Sequence, residues 1–300
     1  MQLHEILNEL RTYRGTFPRY AVKQAIEERE AITPALLEAL EYGANNIEEL
    51  CEDTTAYLHI YALYLLAQFR EKKAYPVIVD FFYQTGDKQE MPEQATGDII
   101  TEDLCRILAS VCYGDITLIQ QLIENPEINE WTRSAALDAL VVLVVEDVLP
   151  REEVIRYLEE LFSGKLDKEP DDSKIWTYLA RTSYYLCAIE LKPYIEQAYK
   201  DDRVETFFIS LKNINRAFEE GVEATMARLH KRGVYTFIND TIAEMESWAC
   251  FKKTQKRSLL TPPKFDKTVQ PKASGFAGGQ SSGSSKSSRK NRSKKKKKKK

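Results

Sequence analysis

The sequence predicts an all-α protein built from stacked helix pairs, and three observations carry that expectation. Segments that are apolar almost all round alternate with segments that are apolar on one face only. The second members of these pairs open at Pro76, Asp115, Pro150 and Pro193, at spacings of 39, 35 and 43 residues. From about Pro262 onward the sizeable apolar residues are reduced to Phe265, Val269 and Phe276, which is too little to fold a core. Helix pairs recurring at about 40 residues are the signature of HEAT- or armadillo-type solenoids, whose units bury their apolar faces only against one another. The expected organisation is an α-solenoid body over residues 1–256 and a disordered Ser/Gly/Lys-rich tail over residues 257–300.

Taken in order, Leu3, Ile6, Leu7 and Leu10 make a short amphipathic helix, and Phe17-Pro18 opens the next, to about Arg29. Thr33-Pro34 reads as a helix start, an N-cap followed by a proline in the first turn. Tyr57 to Phe69 is apolar nearly all round, which buries a helix on several sides. Tyr75-Pro76 opens its partner, and the polar stretch Gly86 to Gly97 reads as a loop. Thr101 is placed as the cap of a helix with the stripe Leu104, Ile107, Leu108 and Val111, followed through Gly114-Asp115 by Ile116, Ile119, Leu122 and Ile123.

The clearest unit is Trp131 to Gly164. Its first helix, Ser134 to Val145, has only Ser134 and Asp138 as polar residues. Its second opens at Pro150 and carries Val154, Ile155, Leu158, Leu161 and Phe162 against a face of Arg and Glu, with Gly164 as an expected left-handed stop. The run Val141-Val142-Leu143-Val144-Val145 favours strand by propensity. Its alanine-rich lead and its length favour helix. Lys165 to Asp172 reads as a charged loop, Ser173 as a cap, Lys192-Pro193 as a further helix start, and residues 203–250 as helical but less regular.

The net charge of −3 hides an asymmetry. From Lys252 onward there are 18 Lys and Arg against the single acid Asp266, a net +17, so the first 251 residues carry −20. Met1 to Leu10 contains Glu5 and Glu9 and no apolar run of the secretory kind. The apolar run Ala139 to Val145 is seven residues, where a membrane span takes about 20. Five scattered cysteines without a CxxC pair point to reduced thiols and a cytoplasmic protein.

Several stretches resemble a bacterial family, domain of unknown function 1186: Tyr61 to Phe82, Ile100 to Asp115, Glu130 to Phe162 and the closing Met245 to Phe251. The resemblance covers most of residues 1–251. It implies a HEAT-like helical body and no particular activity. Many members of that family end in a cysteine-rich zinc motif of the SEC-C type. This chain has no cysteine after Cys250, and the lysine tail stands where that motif would be, so the zinc role does not carry over.

Motifs of chemistry are sparse. Gly279-Gln280-Ser281-Ser282-Gly283 fits the nucleophile-elbow pattern but lacks the strand and helix that make the elbow. His4, His59 and His230 are far apart, His59 reads as a packed core residue, and no phosphate loop or dinucleotide motif occurs, so no cofactor is expected. Two groups remain as candidate binding residues. Trp131 and Arg133, at the entry to the central helix, form an aromatic–arginine pair of the kind that anchors interfaces. Arg289, Lys290, Arg292 and the run Lys294, Lys295, Lys296, Lys297, Lys298, Lys299 and Lys300 form a polycation that attracts phosphates by counterion release, with no interleaved aromatics for base stacking.

Three functions follow as expectations. The first is a non-enzymatic scaffold that binds a protein partner. The second is an RNA- or ribosome-associated adaptor using the tail for nucleic acid. The third is an enzyme with a site of dispersed carboxylates.

Overall fold

The computed structural model describes residues 1–252, and among these it has sixteen α-helices and no β-strand. They are α1 (Leu3–Arg11), α2 (Arg19–Glu27), α3 (Arg29–Asn45), α4 (Ile47–Glu52), α5 (Leu58–Phe69), α6 (Ala74–Phe82), α7 (Met91–Thr96), α8 (Ile99–Glu102), α9 (Leu104–Val111), α10 (Thr117–Glu124), α11 (Glu130–Val145), α12 (Arg151–Glu160), α13 (Ile175–Tyr185), α14 (Lys192–Lys200), α15 (Leu211–Arg232) and α16 (Thr241–Met245). The chain divides into two units, Met1–Thr254 and Gln255–Lys300.

Burial separates the helices into two kinds. Ten of twelve residues are buried in α5, seven of eight in α9, thirteen of sixteen in α11 and eight of eleven in α13. Their neighbours in sequence bury one face: three of eight in α10, four of ten in α12, two of nine in α14. The apolar helices pack in series, α3 on α5, α5 on α9, α9 on α11, α11 on α13 and α13 on α15. The one-faced helices close the sides, with α10 against both α11 and α6. The Val141–Val145 run is helical because neighbouring helices, α9, α10 and α13 foremost, pack around α11, and that burial outweighs the strand preference of valine.

Arginines join the units at helix ends. Arg29, first in α3, donates to the Phe69 carbonyl at the end of α5. Arg133, in the first turn of α11, donates from Nε and Nη2 to the Ile123 carbonyl of α10, at 3.0 and 2.9 Å. Arg151, first in α12, donates to the Leu186 and Cys187 carbonyls after α13, at 2.8 and 2.6 Å. Carbonyls at a helix C-terminus lack intrahelical partners and carry partial negative charge, so a guanidinium satisfies both needs at once.

Several local expectations are corrected. The expected loop over residues 86–97 contains α7, a six-residue helix too short to display a period. Of its six residues only Pro92 and Thr96 are buried. Helix α3 begins at Arg29, not Thr33. Thr33 Oγ1 instead donates to the Arg29 carbonyl at 2.8 Å, and Pro34 lies inside the helix, where it forgoes the bond an N–H there would make to the Glu30 carbonyl. Thr101 lies inside α8, and the break that precedes α9 falls at Asp103. Gly164 has φ 169°, an extended value open to any residue, so it is not a left-handed stop. Gly43 is needed for a packing reason: a Cβ there would sit 2.9 Å from the Phe81 ring and 3.2 Å from Leu50.

Candidate functional site

Arg133 is buried and paired within the body. Its side chain is 4% exposed, and its guanidinium forks onto Glu169, Nη1 to Oε1 and Nη2 to Oε2, both at 2.8 Å. Ser173 Oγ donates to the same carboxylate at 2.6 Å. Burial alone would push the Glu169 carboxyl up, but the hydrogen bonds from Arg133 and Ser173 outweigh it and hold the group below the usual carboxylate range. The pair fastens the Lys165–Asp172 segment, expected to be a solvated loop, onto the start of α11. Nothing local distinguishes Glu169 from the other acids of that stretch, so the sequence offered no signal for it.

Trp131 is half-buried and remains partly accessible. Its ring lies 6.1 Å from Tyr178, and Lys174 Nζ sits 5.5 Å from its centroid while pairing with Glu130 at 2.6 Å. It lines a surface cavity of about 400 Å³ with Glu130, Arg133, Glu169, Asp172 and Lys174, so the two expected binding residues share one cavity wall although Arg133 is itself buried. A second cavity, of about 490 Å³, lies among Leu7, Ala35, Ala39, Leu50 and Leu58. His59 also lines it, but the imidazole is buried, donates from Nε2 to the Ala95 carbonyl at 2.9 Å, and has its pKa pulled down by burial.

The most extensive contact between distant parts of the described chain is one the sequence did not announce. Helix α15 ends at Gly233, whose φ of 65° suits a residue without a Cβ. The chain then runs back across the apolar helices in reverse order, from α13 to α1. Tyr235, Ile238, Thr241, Met245 and Phe251 are buried and Trp248 is half-buried, one anchor every three or four residues. Between them Asn239, Asp240, Ala243, Glu246, Ser247, Ala249 and Cys250 face water. This strap is held by one side only.

Side chains of the underlying helices take its backbone groups. Glu146 accepts from the Phe237 amide at 3.1 Å, and Ser110 Oγ from the Ile238 amide at 3.0 Å. Arg106 donates to the Thr236 carbonyl at 2.9 Å, Arg70 to the Ile238 carbonyl at 2.7 Å, and Gln68 accepts from the Thr241 amide at 2.8 Å. Arg106 also grips Glu244 through both oxygens, at 2.6 and 2.9 Å, and Asp103 at 2.8 Å. Burial opposes the charge on Arg106, but Glu244 and Asp103 outweigh it and raise its pKa further. Aromatics close the far end. Trp248 lies 5.4 Å from Tyr64, and Phe251 lies 5.4 Å from Phe17 and 6.0 Å from Tyr57.

Among the described residues no group of three or more His, Cys, Asp or Glu side chains is set to hold a metal ion, and the five cysteines are free thiols. No helix among them is long and apolar enough to cross a membrane. The candidate polyanion-binding residues Arg289, Lys290, Arg292 and Lys294 to Lys300 lie outside the described residues.

Fold and surface together define an all-helical protein of serially packed helix pairs, crossed by its own C-terminal strap. Residues 1–252 match the family model described as "Protein of unknown function (DUF1186)", and the chain belongs to that family. It is 39% identical over 249 residues to an uncharacterised protein of Chlamydia trachomatis, covering 83% of this chain and 96% of the relative. A second uncharacterised protein, from Chlamydia muridarum, is 37% identical over 249 residues, covering 83% and 97% respectively. No solved structure matches the chain.

Proposed function

We propose that the protein is a non-enzymatic scaffold of the HEAT-like solenoid type, cytoplasmic, that binds a protein partner along its stacked helices. One observation carries the reading. A row of side chains drawn from α5, α9 and the end of α11 holds an extended peptide by its backbone amides and carbonyls. Stacked repeats lend themselves to such surfaces, because each unit contributes the same position to one continuous face. Carboxylates of the described body also fit this reading better than catalysis: Asp103 and Glu244 meet across the Arg106 guanidinium and both accept its hydrogens.

A second reading rests on the +17 charge carried from Lys252 onward, which favours an RNA- or ribosome-associated adaptor. One experiment separates the two. The full chain is tagged, cross-linked in cells and purified, and the cross-links are mapped by mass spectrometry. The scaffold reading expects one recurring protein cross-linked to residues of the helical body. Cross-links confined to RNA and residues 289–300 would replace it with the adaptor. The adaptor in turn expects RNA affinity that falls steeply with salt and is lost in a chain ending at Lys256; equal RNA affinity of that shorter chain would remove it.

A further inference from the structure

We propose that the face beneath the strap is a peptide-binding site and that Val234–Phe251 is its resident ligand, so that an extended partner segment of the same build competes with the strap for it. This rests on the scaffold reading and names the partner's chemistry. The segment carries apolar or aromatic anchors every third or fourth residue and a carboxylate positioned to reach Arg106.

Tyr235, Ile238, Met245 and Phe251 join the core of the helices, but four features of the strap are those of a docked ligand. Its anchors touch the helices along one stripe, and Asn239, Asp240, Ala243, Glu246, Ser247, Ala249 and Cys250 between them are exposed. Its own regular structure is limited to the five residues of α16 and the three-residue turn Ala249–Phe251. Much of its hydrogen bonding runs from its backbone to side chains of distant helices, with sequence separations of 91 to 173 residues. Its central charge pair is only partly sealed: the Glu244 side chain is 25% exposed and Arg106 11%, against 4% for both members of the Arg133–Glu169 pair. Backbone bonds to side chains give affinity with little dependence on sequence, and the anchor stripe and the carboxylate give the specificity.

Tethering sets the competition. A segment joined to the body acts at an effective concentration of about millimolar, so a free peptide meets an occupied site and its apparent affinity falls by the fraction of open molecules. Loosening the strap without touching the face should restore the affinity of a peptide supplied in trans. The probe is a synthetic peptide with the sequence Val234–Phe251, labelled at its N-terminus and read by fluorescence anisotropy. It is titrated into the wild-type full chain and into a full chain carrying Ile238→Ala, Glu244→Ala and Trp248→Ala. The loosened variant is expected to bind at least about tenfold tighter than wild type. Adding Arg106→Ala to the variant should remove most of that gain, and a scrambled peptide should show none of it.

A folded, monomeric variant that binds the peptide no better than wild type overturns the proposal. Native-state hydrogen exchange on the wild-type chain keeps the question decidable if the variant does not fold. The amides of Phe237, Ile238 and Thr241 are expected to exchange through an opening that leaves α9 and α11 protected; exchange only in step with those helices overturns the proposal. The two functional readings fail separately. A cellular partner cross-linked solely to the outward faces of α10, α12 and α14 would leave the scaffold standing and remove the strap as competitor. Peptide binding with no cellular protein partner would do the reverse.

Discussion

Arg133 and Arg106 use the same chemistry to opposite ends. Each guanidinium donates to a backbone carbonyl and grips a glutamate through both oxygens. The partners of Arg133 lie 10 and 36 residues away and are sealed with it, at 4% side-chain exposure for both charges. The partners of Arg106 in the strap lie 130 to 138 residues away, and Glu244 keeps contact with water. The first joins neighbours in the stack and belongs to the interior. The second pins the strap onto α9 in the middle of the stack. A buried pair is costly to break because the surviving charge is stranded, whereas a pair at the rim can reach water when it opens.

The largest expected effect breaks the buried member. Glu169→Ala leaves Arg133 uncompensated, and a loss of about 3–5 kcal/mol in urea unfolding is expected. A loss under about 1 kcal/mol would place the pair among surface contacts. Arg106→Ala should cost less, about 1.5–3 kcal/mol, as expected for hydrogen bonds to a charged group. Its exchange signature should be confined to residues 234–251, whereas uniform loss of protection across α9 and α11 would make the strap part of the global core.

A pH test sharpens the same contrast. The Glu169 carboxyl is held below its ordinary value of 4.5 in the folded chain, so the unfolded chain binds protons more readily there. The stabilisation is complete above that value and is lost as pH falls below it toward the folded pKa. The stability gap between wild type and Glu169→Gln, measured by urea unfolding, should therefore narrow between neutral pH and pH about 3.5. A gap that widens on acidification contradicts the assignment. The smallest effect is expected at Glu190, which pairs with Arg151 at 2.8 Å but is 48% exposed. Glu190→Gln should change stability by less than about 1 kcal/mol, because the exposed pair is screened and its arginine keeps the Leu186 and Cys187 carbonyls.

The long elements were legible. The periodicity of Leu104, Ile107, Leu108 and Val111 matches α9, the all-round apolar Tyr57–Phe69 and Ser134–Val145 match α5 and α11, and Lys192-Pro193 opens α14 as expected. Short elements were not, since α7 and α8 span less than two turns and no period emerges from six or four residues. The site was legible least. Arg133 was expected to contact a partner as one half of an aromatic–arginine pair with Trp131, and the carboxylate that lets it be buried sits 36 residues on, in a run of charges. The strap was hidden inside the stretch 203–250 that reads as helical, because its anchors at 235, 238, 241, 245, 248 and 251 come close to a helical period, whereas only Thr241–Met245 and the turn Ala249–Phe251 of it are helical.

By itself the sequence determined the helical class, the alternation of all-round and one-faced apolar segments, the acidic body and the basic end. These follow from local periodicity and composition, which each stretch carries on its own. Only the tertiary structure decided which arginine is sealed, which carboxylate meets it, and that residues 234–251 lie across the inner helices. Those outcomes depend on pairs far apart in the chain, joined by packing that no local pattern encodes.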